Sequence, residues 1–300
     1  MKIARSIFLM LIQKCFSLIS LRHMLPKSSR YMRMMSNEPV EYKLLGGKLK
    51  VSNVCLGTMT WGQQNSDADA YEQLDIAFGE YGVNFLDTAE MYPVPTKPET
   101  QGKTDRAISK WLKNQDRSKI VIATKVAGTS SQITWLPGRS GKGTRLAYQE
   151  IITSVDYSLE RLQTDYIDLI QFHWPDRYVP LFTSKAYQYS EERESIEFEE
   201  QLRAIQDLIA SGKVRYFGVS NETPYGVMKF SAVSEQLGLP KLISIQNSHN
   251  LLVRTAFEQG LIEVCSPRHE NVGLLAYSPL AGGILTGKRF STLSFVFMYG

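Results

Sequence analysis

This chain is poor in the residues that bind metals and form disulfides. Its three cysteines, Cys15, Cys55 and Cys265, lie far apart, and its four histidines make no ligand-spaced group. That argues against a metal spacing and a disulfide framework. The thiols read as reduced and buried, in an intracellular compartment. No G-x-G-x-x-G turn follows the first buried run, which counts against an open dinucleotide-binding sheet. The N-terminal apolar run Ile7-Phe8-Leu9-Met10-Leu11-Ile12 falls short of the roughly 20 residues a bilayer span needs. A large basic surplus is also missing. Net charge is +4, and much of that excess lies in the first 35 residues. The remainder is near neutral, so nothing points to nucleic acid.

Acidic residues are absent from positions 1–37, which carry Lys2, Arg5, Lys14, Arg22, Lys27, Arg30 and Arg33 among apolar residues. Residues 1–40 therefore read as a basic extension of the transit-peptide type, addressed to a chloroplast or mitochondrion. A secretory signal is the rival, but Gln13 and Lys14 interrupt its apolar run. The bland reading is a misplaced start, which leaves the chain cytoplasmic.

What is present is an ordinary globular composition, 43% hydrophobic and 21% charged over 300 residues. From Glu41 onward, strand and helix signals alternate. Leu44–Val51 predicts a hairpin turning at Gly46-Gly47. Buried strands are predicted at Val54–Thr58, at Phe85-Leu86-Asp87, at Ile120–Lys125, at Ile167–His173, at Val214–Asn221, at Leu242–Asn247 and at Gly273–Leu280. Helices are expected between them: one capped by Asp69 and closed by Gly82, then Thr104–Lys113, Glu150–Leu162, Glu199–Ala210, one capped by Thr223 with Pro224 first, and Phe257–Val264. Two long loops, Gly128–Gly143 and Pro175–Glu197, interrupt this order. Seven strands, six helices and no two-sided polar alternation predict a parallel α/β architecture.

Chemistry-bearing residues sit where those strands end. Asp87 closes one strand and Tyr92 lies on its exit turn. Lys125 closes the next, and His173 the one after. In a (β/α)8 TIM-type barrel such ends meet on one face, which favours that barrel over a doubly wound sheet. A phenol is a protonated donor at neutral pH, and a neighbouring ammonium lowers its pKa by stabilising the phenolate. A carboxylate would hold the ammonium, and an imidazole could orient a carbonyl. Each residue alone has a plainer reading, as a cap, an exposed strand end or a wall residue.

Several segments jointly resemble the aldo-keto reductases, in particular their Tas-like branch. They are Leu56-Gly57-Thr58-Met59-Thr60, Asp87-Thr88-Ala89-Glu90-Met91-Tyr92-Pro93, Glu99-Thr100-Gln101-Gly102, Arg161-Leu162-Gln163-Thr164-Asp165-Tyr166, Phe172-His173-Trp174-Pro175, Gly218-Val219-Ser220-Asn221-Glu222-Thr223 and Ser244-Ile245-Gln246-Asn247. The resemblance implies an oxidoreductase that reduces aldehydes or ketones with a nicotinamide cofactor, NADP(H), with NAD(H) left open. It implies Asp87, Tyr92, Lys125 and His173 as catalytic tetrad, with Tyr92 as proton donor. Gly57, Thr58, Met59, Ser220, Asn221, Gln246, Tyr277, Ser278, Pro279 and Leu280 fall at cofactor positions. Met59 and Trp174 fall on the substrate side. The expected partner is a small carbonyl compound, with no nucleic acid and no membrane. The sequence names neither the substrate nor the oligomeric state. Two alternatives stay open: a non-catalytic regulatory subunit, as in potassium-channel β subunits, and an inactive truncated product.

The resemblance runs to Gly283-Ile284-Leu285-Thr286-Gly287-Lys288. Family members continue into a long loop, two helices and an eighth strand, whereas residues 289–300 match nothing in that pattern. The expectation is a barrel over residues 41–288 with about seven strands, then a foreign tail. Two sheet edges would be left open. Cofactor binding is then expected to be weak and stability marginal.

Overall fold

A computed structural model describes residues 40–139, 141–181 and 186–286. The expected transit peptide and the tail 289–300 lie outside them. The chain opens with the expected hairpin, β1 (Tyr42–Leu45) antiparallel to β2 (Leu49–Ser52). Its turn needs left-handed backbone, which Gly46 and Gly47 adopt at φ +55° and +69°.

Seven parallel strands follow, ordered in the sheet as in the chain. They are β3 (Leu56–Gly57), β4 (Phe85–Asp87), β5 (Val121–Val126), β6 (Ile167–Phe172), β7 (Val214–Ser220), β8 (Leu242–Ser248) and β9 (Gly273–Tyr277). The helices between them are α1 (Asp67–Leu74), α2 (Lys103–Leu112), α3 (Tyr148–Leu162), α4 (Phe198–Ala210), α5 (Pro224–Leu237) and the short α6 (Ile262–Val264). The expected seven-stranded parallel α/β fold is what forms.

The sheet curls. Gln246 on β8 donates to Asp87 on β4 at 2.9 Å. Four strand spacings separate those strands along the sheet, about 19 Å if it were flat. Only curvature toward a barrel brings them together. The inside of the curl has two zones. Its floor is apolar: Phe85, Val121, Ala123, Leu169 and Ile243 pack with Leu45, Leu49 and Val51 of the hairpin. Toward the strand C-termini the inward positions turn polar, at Asp87, Lys125, Gln171, Ser244 and Gln246, all buried. The period-two alternation of each strand sends the other residues outward. On β6 those include Ile170 and Phe172, which share a core cluster with Ile151 and Val155 of α3 and Leu202 and Ile205 of α4. Each such buried aliphatic side chain contributes roughly 1.5–3 kcal/mol.

Some boundaries differ from expectation. α1 is capped by Ser66, not Asp69: Ser66 Oγ accepts from Asp69 N at 3.2 Å, and Asp69 returns a bond to Ser66 N at 2.8 Å. Both types cap, and the reciprocal box decides which one sits outside the helix. Beyond α1 the turns widen to π geometry over Asp75–Glu80, then close at Gly82. Phe257–Leu261 widens likewise before α6. β9 stops at Tyr277 because Ser278 takes a left-handed conformation, φ +52°. Among the described residues, no helix is long and apolar enough to cross a membrane. Nor does any His/Cys/Asp/Glu group among them have the arrangement to hold a metal ion.

Candidate active site

Three consecutive strands deliver the predicted tetrad to one mouth. β4 ends in Asp87 and β5 carries Lys125, both facing inward. The Lys125 ammonium is fully buried and pairs with Asp87 Oδ2 at 2.5 Å. It also donates to Thr88 O at 2.9 Å and lies 3.5 Å from Tyr92 Oη. His173, just past β6, sets its ring edge-on to Tyr92, with centroids 5.9 Å apart. The four groups therefore converge as the strand-end pattern requires.

Electrostatics define the protonation states. Burial works to lower the Lys125 pKa, yet the Asp87 charge and the Tyr92 phenol outweigh it and hold the ammonium above its ordinary range. Tyr92 departs from the sequence expectation. Burial raises its pKa above 10, and Lys125 opposes that rise without reversing it. The phenol is thus protonated at neutral pH. His173 is pushed well below the usual imidazole range, first by burial and then by the Lys125 charge, so it is neutral at pH 7.

Asp87 is the hub. Its Oδ2 holds Lys125, while Oδ1 accepts from Gln246 Nε2 at 2.9 Å and Gln171 Nε2 at 3.3 Å. Gln171 was not singled out from sequence. Its signal was available: a polar residue two past Leu169, on the same face of the strand.

The residues expected around a cofactor gather at the same mouth, largely engaged with one another. Ser220 Oγ donates to Gln246 O at 2.7 Å. Asn221 takes a left-handed turn at φ +53°, which asparagine tolerates, and leads into α5 capped by Thr223. Its Nδ2 donates to His173 O, and its Oδ1 accepts from Tyr277 Oη, both at 2.8 Å. Tyr277 ends β9, and Ser278, Pro279 and Leu280 follow, the first two exposed. Gly57 is exposed, pairing in register with Asp87. Thr58 is fully buried and its hydroxyl donates to Asp87 O at 2.9 Å, so that side chain is structural. Met59 is half exposed at the rim.

Trp174 builds a wall. Its ring lies 5.0 Å from His173, its Nε1 donates to Thr129 O at 3.0 Å, and it packs on Ala127, Ile133 and Leu136, with Met91 and Trp135 alongside. Gly128 allows this approach, since a Cβ there would stand 2.1 Å from Trp174 O. The loop after β6 is anchored by Asp176. Its carboxylate accepts from Arg145, Thr129, Leu146 N and Ile196 N. Burial works to raise that carboxyl, but these bonds hold it below its ordinary value.

Three buried polar atoms at this mouth find no partner among the described residues: His173 Nδ1, Gln171 Oε1 and Ser244 Oγ. Buried polar atoms of native proteins are normally bonded, so such a group is suited to a ligand rich in donors and acceptors. With Tyr277 as an aromatic neighbour, the residues fit a nicotinamide head group.

A seven-stranded parallel sheet curled toward a barrel, with a Tyr–Lys–Asp–His mouth, fits an oxidoreductase of the carbonyl-reducing type. The aldo/keto reductase family pattern matches residues 53–295, and the chain belongs to that family. It is similar to the protein tas of Escherichia coli, 44% identical over 252 residues that cover 82% of this chain and 70% of that protein. The oxidoreductase YrpG of Bacillus subtilis is 34% identical over 84% of this chain and 70% of its own length. These matches support the Tas-like branch. Among solved structures, a thermostable aldo-keto reductase in complex with the inhibitor epalrestat superposes with a TM-score of 0.59. It is 28% identical, covering 81% of this chain and 74% of that one.

Proposed function

We propose that this enzyme reduces a small aldehyde or ketone to its alcohol with NADP(H), and that Tyr92 is the proton donor. One observation carries the reading: a single buried ammonium, Lys125, lies between Asp87 and the Tyr92 phenol, with a neutral His173 beside them. When bound, the nicotinamide supplies the hydride that the carbonyl carbon accepts. Ser220, Asn221, Gln246 and Tyr277 are the residues that would hold it. The carbonyl oxygen then needs a proton, which Tyr92 Oη gives. Lys125 stabilises the phenolate left behind, and Asp87 keeps Lys125 charged. His173 hydrogen-bonds the carbonyl and aims it at the phenol. Trp174, Met91 and Trp135 make one wall apolar, which suits aliphatic or aromatic carbonyls.

The test is NADPH oxidation with a panel of aldehydes, in wild type and Tyr92→Phe, with NADH run in parallel. Turnover by wild type and its near abolition in Tyr92→Phe, with an unchanged circular dichroism spectrum, is the expected result. A variant that keeps most of its kcat removes Tyr92 from the donor role. A wild-type chain that binds NADPH without turning over any carbonyl makes it a regulatory subunit instead.

A further inference from the structure

Tyr92 does not stand on a helix or a strand. Residues 88–93 leave β4 and turn back, held by Tyr92 N to Ala89 O and by Gly102 N to Tyr92 O, both at 3.0 Å. Such a segment needs a further restraint to keep a phenol within reach of an ammonium. Glu90 lies in the middle of it and is only 2% exposed. Its main-chain N donates to Lys125 O at 3.2 Å. Its Oε1 accepts from Ala127 N, two residues past Lys125, at 2.6 Å. Glu90 thus straps the turn that carries the phenol to the strand that carries the ammonium, through main chain and side chain at once.

The same carboxylate reaches further. Oε1 also takes a bond from Arg139 NH2 at 3.2 Å, and Oε2 one from Ser154 Oγ of α3 at 2.5 Å. The Arg139 side chain is fully buried, pairs with Glu150 as well, and donates to Arg145 O at 3.0 Å. Arg139 belongs to the loop after β5, whose Ile133 and Leu136 pack on Trp174 beside Met91. Burying the Arg139 guanidinium and the Glu90 carboxylate carries a desolvation penalty that pairing must offset, and apolar packing would anchor a loop as well. An ion pair here therefore calls for a role beyond anchoring.

We propose that Glu90 and Arg139 are positioning residues: the pair sets the separation of Tyr92 from Lys125 and links it to the loop that carries the apolar wall. A carbonyl compound that seats this loop would thereby align its own proton donor. The inference rests on Tyr92 as donor, and the two ideas fail differently.

The experiment uses Glu90→Gln and Arg139→Lys in the full chain. In Glu90→Gln, Arg139 keeps Glu150 as its counter-ion, which favours a folded product. Measured are kcat, the KM of an aldehyde that wild type reduces, NADPH affinity by fluorescence, and the titration of the Tyr92 phenol. The last reading uses 13C-labelled tyrosine, with the signal assigned by its loss in Tyr92→Phe, and needs no turnover. Expected is a kcat fall of about ten- to a hundredfold with NADPH affinity unchanged. The Tyr92 signal should titrate at higher pH, because an ammonium held less closely lowers the phenol less. Unchanged kcat and an unmoved Tyr92 titration, with only the melting temperature lowered, would make the pair a plain structural bridge. If Glu90→Gln is insoluble, Arg139→Lys keeps the charge, loses the forked donor, and is judged by the same two readings. If Tyr92→Phe itself stays active, the donor assignment fails and this inference falls with it. If Tyr92→Phe is dead while both variants are normal, only this inference falls.

Discussion

Gln246 and Asp87 are 159 residues apart in the chain, yet the Gln246 amide donates to Asp87 Oδ1 at 2.9 Å. The other oxygen of the same carboxylate holds Lys125. One side chain thus joins the buried ammonium beside Tyr92 to β8, four strands away in the sheet.

Asp87→Asn should therefore be costly twice. Lys125 would be left buried without its counter-ion, which removes about 3–5 kcal/mol of stability. An amide in place of Oδ1 can also turn its NH2 toward the NH2 of Gln246 and Gln171. The expected outcome is a melt well below wild type together with loss of carbonyl reduction. Calorimetry and NADPH oxidation check it. A variant with wild-type stability would show that Lys125 is not charged in the folded chain.

His173 sets a pH dependence of stability. Its folded pKa is depressed by burial and by Lys125, whereas the unfolded side chain titrates near 6.5. Below about pH 6.5 the unfolded state binds the extra proton, so stability falls as pH falls and is fully present above that value. Denaturant melts of wild type and His173→Gln between about pH 5 and 8 should differ in slope, the variant being flatter. Parallel curves would mean that His173 is not held neutral.

Gly128→Ala probes the wall. The added methyl would stand 2.1 Å from Trp174 O and 2.4 Å from its ring Cδ1, so Trp174 must move. Overpacking of this kind costs about 1–3 kcal/mol. The KM for apolar aldehydes should rise while NADPH affinity holds. A change in cofactor affinity alone would place Trp174 on the wrong side of the site.

Most of the fold was legible because each strand states its own case: a short apolar run, then a polar tip. The tetrad was legible for the same reason, since Asp87, Lys125 and His173 each follow such a run. What stayed hidden depends on partners remote in sequence. Arg139 sits in a Gly- and Ser-rich stretch that reads as solvated loop. Nothing local announces that its side chain is buried on Glu90, 49 residues earlier. Glu90 itself lies in the quoted motif, yet motif membership does not tell a carboxylate at the mouth from one turned behind it. Lys125 does work to lower the Tyr92 pKa, but the net rise was hidden, because the extent of burial is a property of the whole fold.

The apolar floor formed by Phe85, Val121, Leu169 and the hairpin has a practical meaning. It fills the inside of the curl while supplying none of the tetrad. Volume-conserving swaps among those side chains should cost less than about 1.5 kcal/mol and leave turnover to the polar layer above them.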